Sequence, residues 1–133
     1  MPTGVDHAAI AATDPASLAR WYCDALGLRI LFRNDQEPAT YLVGGDSGGM
    51  IEIMPDNGDL RQERRFYAPG ISHLALSVSD FDATMAALAA AGVDLAEHLA
   101  AAGGGRIANF HDPEGNAIQI ITRTRDLRGR QGS

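Results

Sequence analysis

The sequence predicts an α+β fold built from two tandem βαβββ modules. Together they are expected to form a curved, mixed eight-stranded sheet with the helices on its outer face. Three observations carry this reading. Gly4-Val5-Asp6-His7 recurs as Gly70-Ile71-Ser72-His73, at an offset of 66. Thr13-Asp14 recurs as Ser79-Asp80 at the same offset, and each Asp opens a stretch with helical spacing. Met50-Ile51-Glu52-Ile53-Met54 aligns with Ala117-Ile118-Gln119-Ile120-Ile121, at an offset of 67. Three anchors in one order and nearly one register mark a duplicated unit. The modules span 4–54 and 70–122, with a linker at 55–69 and an Arg-rich tail at 123–133, all within one structural domain.

The elements follow in order. Residues 5–11 alternate apolar and small side chains, as a strand does. Asp14-Pro15 starts a helix, with a side-chain oxygen for the exposed amides and proline at the first helical position. Leu18, Trp21, Tyr22, Ala25 and Leu26 make its apolar face, and Gly27 stops it. Strand-like runs follow at 28–33, 39–43 and 50–54. The second module repeats the order: a strand at 71–78, then a helix at 80–91 with Phe81, Met85, Leu88 and Ala89 inward. Gly92 stops that helix, and strands at 93–98, 106–111 and 116–122 complete the module. Asp112-Pro113-Glu114-Gly115-Asn116 has the composition of a tight turn.

Composition narrows the function. The chain has 133 residues, 45% of them hydrophobic and 21% charged, which suits a single globular domain. No apolar run reaches the length of a membrane span. The net charge of −6 disfavours nucleic acid, whose phosphates would be repelled on average. One cysteine, Cys23, excludes an internal disulfide, and its place on the helix stripe suits a small buried hydrophobe. No charged segment followed by an apolar stretch opens the chain, so a cytoplasmic location is expected. All 11 basic residues are arginine, which fits GC-rich codon usage and excludes a lysine nucleophile or Schiff base.

Strand alternation singles out four polar residues. His7 shares a face with Val5, Ala9 and Ala11, and His73 with Ala75 and Ser77. Glu52 lies between Ile51 and Ile53, and Gln119 between Ile118 and Ile120. All four point away from the bulky apolar side that a helix covers. A lone histidine on a strand is ordinarily structural, and a lone Glu52 would suit a solvated face. The repeat changes that reading, because a pseudo-twofold would bring His7 near His73 and Glu52 near Gln119. Two imidazoles, a carboxylate and an amide oxygen suit Zn, Ni, Co, Mn or Fe(II).

These features resemble the vicinal oxygen chelate superfamily, which includes glyoxalase I, methylmalonyl-CoA epimerase, extradiol dioxygenases and the fosfomycin- and bleomycin-resistance proteins. The resemblance covers about residues 4–122. It is carried by Asp6-His7, the segment Trp21-Tyr22-Cys23-Asp24-Ala25-Leu26-Gly27-Leu28, Ile51-Glu52-Ile53, Ser72-His73-Leu74 and, most specifically, Phe110-His111-Asp112-Pro113-Glu114-Gly115-Asn116. It implies a divalent metal held by His7, Glu52, His73 and Gln119. The first three match glyoxalase-type members of bacterial kind. Many members have glutamate at the fourth position, where it serves as the proton-shuttling base. Glutamine takes up no proton at neutral pH, so Glu52 becomes the candidate base.

The resemblance leaves three functions to weigh. The first is a metal-dependent isomerase or lyase/epimerase of glyoxalase type, acting on a small oxygen-chelating substrate through an enediolate. The second is an Fe(II) extradiol-type dioxygenase, for which His7, His73 and Glu52 have the 2-His-1-carboxylate composition. Such enzymes usually take the carboxylate from the last strand, where Gln119 stands, and have longer chains. The third is a small-molecule binding or resistance protein without chemistry, a branch that generally lacks the metal set. The partner is in each case a small molecule, and a homodimer is expected. Arg61, Arg64 and Arg65 could hold an anionic substrate group through forked hydrogen bonds, or form a solvated charge run, and Tyr67 could reach the cavity mouth. His98 and His111 have no counterpart in the first module. Gly103-Gly104-Gly105 lacks the ending of a phosphate loop.

Overall fold

A computed structural model describes residues 1–96 and 99–129. The expected strand at 93–98 and the candidate His98 fall partly or wholly outside the described residues, as does the end of the tail. The chain divides into two compact units, Met1–Glu63 and Arg64–Ser133.

In the first unit, β1 (His7–Ala12) leads into α1 (Pro15–Leu26), followed by β2 (Arg29–Arg33), β3 (Tyr41–Gly44) and β4 (Met50–Pro55). The Asp14 carboxylate accepts from the Ser17 amide at 3.1 Å, and Gly27 ends the helix in the left-handed region at φ 69°. The strands are ordered β1-β4-β3-β2, with β1 parallel to β4 and the other pairs antiparallel. Ile10, Ala12, Tyr41, Val43, Ile51 and Ile53 are buried on one face, with Leu18, Ala19 and Tyr22 of α1. Trp21, Ala25 and Leu26, expected on the apolar stripe, are only half-buried, while Pro15 and Ala19 are buried.

The second unit has β5 (Leu74–Ser77), α2 (Phe81–Ala90), the two-residue β6 (Leu99–Ala100), β7 (Arg106–His111) and β8 (Ala117–Thr122), ordered β5-β8-β7-β6. Again the first and last strands are parallel. Asp80 caps α2 through the Ala83 amide at 3.0 Å. The strands thus form two four-stranded sheets, in place of the single eight-stranded sheet that the sequence suggested.

Three local expectations are corrected. β5 starts at Leu74, not at 71, because the carbonyl of Ile71 accepts from Arg64 and the Ser72 hydroxyl accepts from the Tyr67 amide. Both groups belong to a preceding loop rather than to the ladder. Ala89 is exposed, while Phe81 and Leu88 bury the helix and Met85 is half-buried. Within 93–96, only the Ala96 amide reaches β7, at Asn109 O, and the described residues there form no strand.

Two turns fix the second sheet. Asp112 is buried and accepts from the amides of Glu114 and Asn116 and from the Asn116 side chain, at 2.9–3.1 Å. This closes the β7–β8 hairpin and sets its register from His111↔Ala117 onward. In the Gly103-Gly104-Gly105 turn all three residues have positive φ. Arg123, the first residue of the tail, donates to the carbonyls of Ala102 and Gly104. A Cβ on Gly105 would collide with the Thr122 carbonyl oxygen, whereas one on Gly58 would meet open space.

Two stability outcomes follow from these turns, read by urea titration at unchanged m. Asp112→Ala leaves amide donors unpaired in a buried turn and costs about 2–3 kcal/mol. Gly105→Ala costs clearly more than Gly58→Ala, because both glycines share the positive-φ penalty but only Gly105 adds a backbone clash. Equal costs for the two glycines would refute the close approach of the turn to β8.

Candidate metal and substrate site

In the first unit the site begins with a strand register. Ala9 pairs with Glu52 across the parallel β1–β4 ladder, and His7 lies two residues before Ala9 on the same face. The opposite face packs on α1, so Glu52 stands between buried Ile51 and Ile53 yet points to the side away from the helix. His7 Nε2 and Glu52 Oε1 are 3.8 Å apart, with side chains 39% and 25% exposed. The other ring nitrogen, Nδ1, lies 2.8 Å from Asp6 Oδ2.

Asp6 settles the imidazole's chemistry. A carboxylate can only accept, so Nδ1 carries a proton, and in the neutral ring the lone pair is then on Nε2, the nitrogen nearer Glu52. The Asp6 hydrogen bond is the largest influence on the His7 pKa and raises it above the ordinary histidine value. A smaller loss of hydration opposes it, and the charges of Glu52 and Asp6 add to it.

The second unit repeats the geometry with different chemistry. Ala75 pairs with Gln119 across the parallel β5–β8 ladder, and His73 again lies two residues before the paired alanine. His73 stands just ahead of β5. Its Nδ1 is 2.9 Å from the Ser72 hydroxyl, which also accepts from the Tyr67 amide. The Phe66 ring lies against His73 at 5.4 Å and against His111 at 5.5 Å. His111 Nε2 is 3.0 Å from the Arg64 carbonyl oxygen. Gln119 is only 6% exposed, and its side-chain NH2 donates to Asn109 Oδ1 at 3.0 Å.

The four residues singled out from the sequence therefore occur as two pairs in matching registers, His7 with Glu52 and His73 with Gln119. Among the described residues, no three His, Cys, Asp or Glu side chains gather into a group able to hold a metal ion. Arg64 spends its guanidinium on the Ile71 carbonyl at 2.6 Å, and Arg61 donates to Thr13 Oγ1 at 3.1 Å. Arg65 is exposed, and Tyr67 is 70% exposed at φ 69°. Cys23 is half-buried, and burial first, then Asp24, pushes its thiol pKa up, away from thiolate reactivity.

Sequence reasoning missed Phe66 and Asn109. For Phe66 nothing local gave a signal. Asn109 was recoverable: counting pairs outward from the Asp112–Asn116 turn puts 111 against 117 and 109 against 119.

Residues 4–120 match the sequence pattern of the Glyoxalase/Bleomycin resistance protein/Dioxygenase superfamily. A protein of Vibrio parahaemolyticus named "Probable lactoylglutathione lyase" is 25% identical over 134 residues, covering 95% of each chain. Among solved structures, one named "Oxidase ChaP-H2" is similar at 26% identity and a TM-score of 0.71, covering 97% of this chain and 100% of that one. TnmS3, an antibiotic binding protein from Streptomyces sp. CB03234, has a TM-score of 0.74 at 19% identity, covering 92% of this chain and 98% of that one. At that identity the likeness concerns the fold alone.

The Asp6–His7 contact gives a titration outcome. In metal-free protein, one histidine Cε1–H signal titrates above the ordinary value, and Asp6→Asn moves its midpoint down. The raised pKa stabilises the fold at acid pH, and that contribution is lost as pH climbs through the His7 pKa. A midpoint unmoved by Asp6→Asn would show that the carboxylate does not govern this ring.

Proposed function

The chain belongs to the Glyoxalase/Bleomycin resistance protein/Dioxygenase superfamily, and from that premise we propose that it is a metal-dependent, glyoxalase-like isomerase or lyase/epimerase. Its substrate is a small molecule with two neighbouring oxygens. The observation that carries this reading is the His7–Glu52 pair, 3.8 Å apart and backed by Asp6. Bonds from such donors to a divalent ion run about 2.0–2.2 Å, so the two atoms are close enough that both could hold one ion. His73 and Gln119 complete the donor set, and the working form is a homodimer.

A divalent ion held there would polarise the two substrate oxygens and so acidify the adjacent C–H. Glu52 takes the proton from one carbon and returns it to the next. Gln119 cannot share this task, since its amide accepts no proton at neutral pH. It does change the charge: one protein carboxylate against a divalent cation leaves the centre near +1, where a second carboxylate would make it neutral. That surplus would favour ionisation of a hydroxyketone bound beside it. Arg65 and Tyr67 meet the rest of the substrate, and Arg64, by holding the Ile71 carbonyl, shapes the loop that carries them.

A second reading is an Fe(II) oxygenase using His7, His73 and Glu52. The likeness to the chain named "Oxidase ChaP-H2", at 26% identity over nearly the whole length, favours it. Oxygen uptake separates the two: it is expected only in the oxygenase, whereas solvent deuterium enters an α-hydroxyketone carbon only in the isomerase.

Metal analysis of protein purified without a metal-affinity tag should find about one divalent ion per chain. His7→Ala and His73→Ala should each lose the ion. Glu52→Gln should abolish deuterium exchange and weaken metal binding, while Gln119→Glu should keep both, because the Asn109 amide can turn to donate to the new carboxylate. Undiminished metal in both histidine variants would eliminate the centre, and full exchange in Glu52→Gln would eliminate Glu52 as base.

A further inference from the structure

We propose that the first unit holds an uncharged, apolar body of the substrate beside the His7–Glu52 pair, and that Leu42 and Phe32 select it. The substrate class rests on the isomerase reading above, but the site itself needs neither a metal ion nor the second unit. Its basis is one rung of the first sheet. Ala9 pairs with Glu52, Glu52 with Leu42, and Leu42 with Phe32, so the four share the face away from α1. Glu52 is thus followed across the sheet by half-buried Leu42, and then by Phe32, 55% exposed on the edge strand.

A second rung runs beside the first. His7 pairs with Met50. Beyond Met50, a Cβ on Gly44 would meet Leu31 Cδ1 at 3.0 Å and Met50 Cγ at 3.6 Å. Gly44 comes two residues after Leu42 and shares its face, so Leu31 and Met50 lie over the glycine on that side. Two consecutive residues of β2, Leu31 and Phe32, therefore reach one face. The register shift between Ile30 and Phe32 allows this, because a bulge re-aims the side chain it carries. Ile30 pairs instead with buried Val43, on the helix side. Leu31, Phe32, Leu42 and Met50 together make an apolar surface bordering His7 and Glu52.

Charge decides what that surface takes. Glu52 is the ionisable group of its rung, and from Leu42 to Phe32 no side chain answers a charge. The arginines that bracket β2 are engaged, Arg29 with Asp46 at 2.5 Å and Arg33 with Glu37 at 2.6 Å. Those charges and the bulge also blunt the edge against pairing with another strand, which leaves the side-chain face for a small molecule. Two strand spacings, about 10 Å, separate Glu52 from Phe32. An α-hydroxyketone head at His7 and Glu52 leaves space along Leu42 for a body of two fused rings, the farther one against the Phe32 ring. In the second unit the matching rung is Ala75, Gln119 and Asn109, and its buried amides make it polar.

The test is equilibrium dialysis of the full chain, as purified, against two α-hydroxyketones with the same head, hydroxyacetone and hydroxymethyl naphthyl ketone. The naphthyl ketone should bind about 100-fold more tightly, the scale of burying two rings. Phe32→Ala should weaken that binding about tenfold. Leu42→Asn, which copies Asn109, should weaken it at least as much. Ile30→Ala should leave it within about twofold, because Ile30 is comparably exposed, at 51%, but faces the helix side. Melting curves accompany each variant; if Leu42→Asn does not fold, Phe32→Ala against Ile30→Ala decides. Equal binding of the two ketones, or equal losses in Ile30→Ala and Phe32→Ala, would overturn the site. So would a dimer that Phe32→Ala turns into a monomer in sedimentation, because the face would then be a contact between two copies. Tight naphthyl binding that Phe32→Ala weakens, without deuterium exchange in the parent, would support the site and overturn the isomerase reading instead.

Discussion

In each unit the first strand pairs in parallel with the last, and the candidate chemistry depends on that pairing. Parallel neighbours cannot be joined by a tight hairpin, so the chain must cross over, and the helix lies on that path. The helix covers one face of its sheet and takes the branched apolar side chains with it. The opposite face carries the polar residues among alanines, with Leu42 beside Glu52 and Ile107 and Ile121 further along from Gln119. His7 with Glu52, and His73 with Gln119, then fall at equal spacing, because the two ladders share a register.

The two pairs differ in what backs them. His7 leans on a carboxylate that dictates its tautomer, and its neighbour Glu52 carries charge. His73 leans on a hydroxyl that can give or take a proton, and its neighbour Gln119 is neutral and held by another amide. The two units thus set different side chains at matching register positions: a histidine with a carboxylate in the first, a histidine with a carboxamide in the second.

Much of this was legible in the sequence, for identifiable reasons. Helix starts at Asp14 and Asp80 and the Asp112 turn are local chemistry, decided by a side-chain oxygen and the amides within reach of it. The faces of β1 and β4 follow from strict alternation. Where long-range contacts override local pattern, the reading failed. Ile71 and Ser72 look like strand residues, but Arg64 and the Tyr67 amide claim their polar groups for a loop. Ala89 has helical spacing for burial but is exposed. Nor does alternation reveal how many sheets the strands form, since backbone pairing between repeats leaves no periodic trace.

The buried Asp112 turn has a consequence for kinship and chemistry. Its carboxylate accepts from the amides of its own hairpin and closes it. The run Asp112-Pro113-Glu114-Gly115-Asn116 is thus a fastener for this hairpin. Diversification can proceed around such a fastener by exchanging an amide for an acid, or a leucine for an asparagine, on neighbouring rungs. The turn sets the register, and the register sets which side chains stand opposite one another on the rungs.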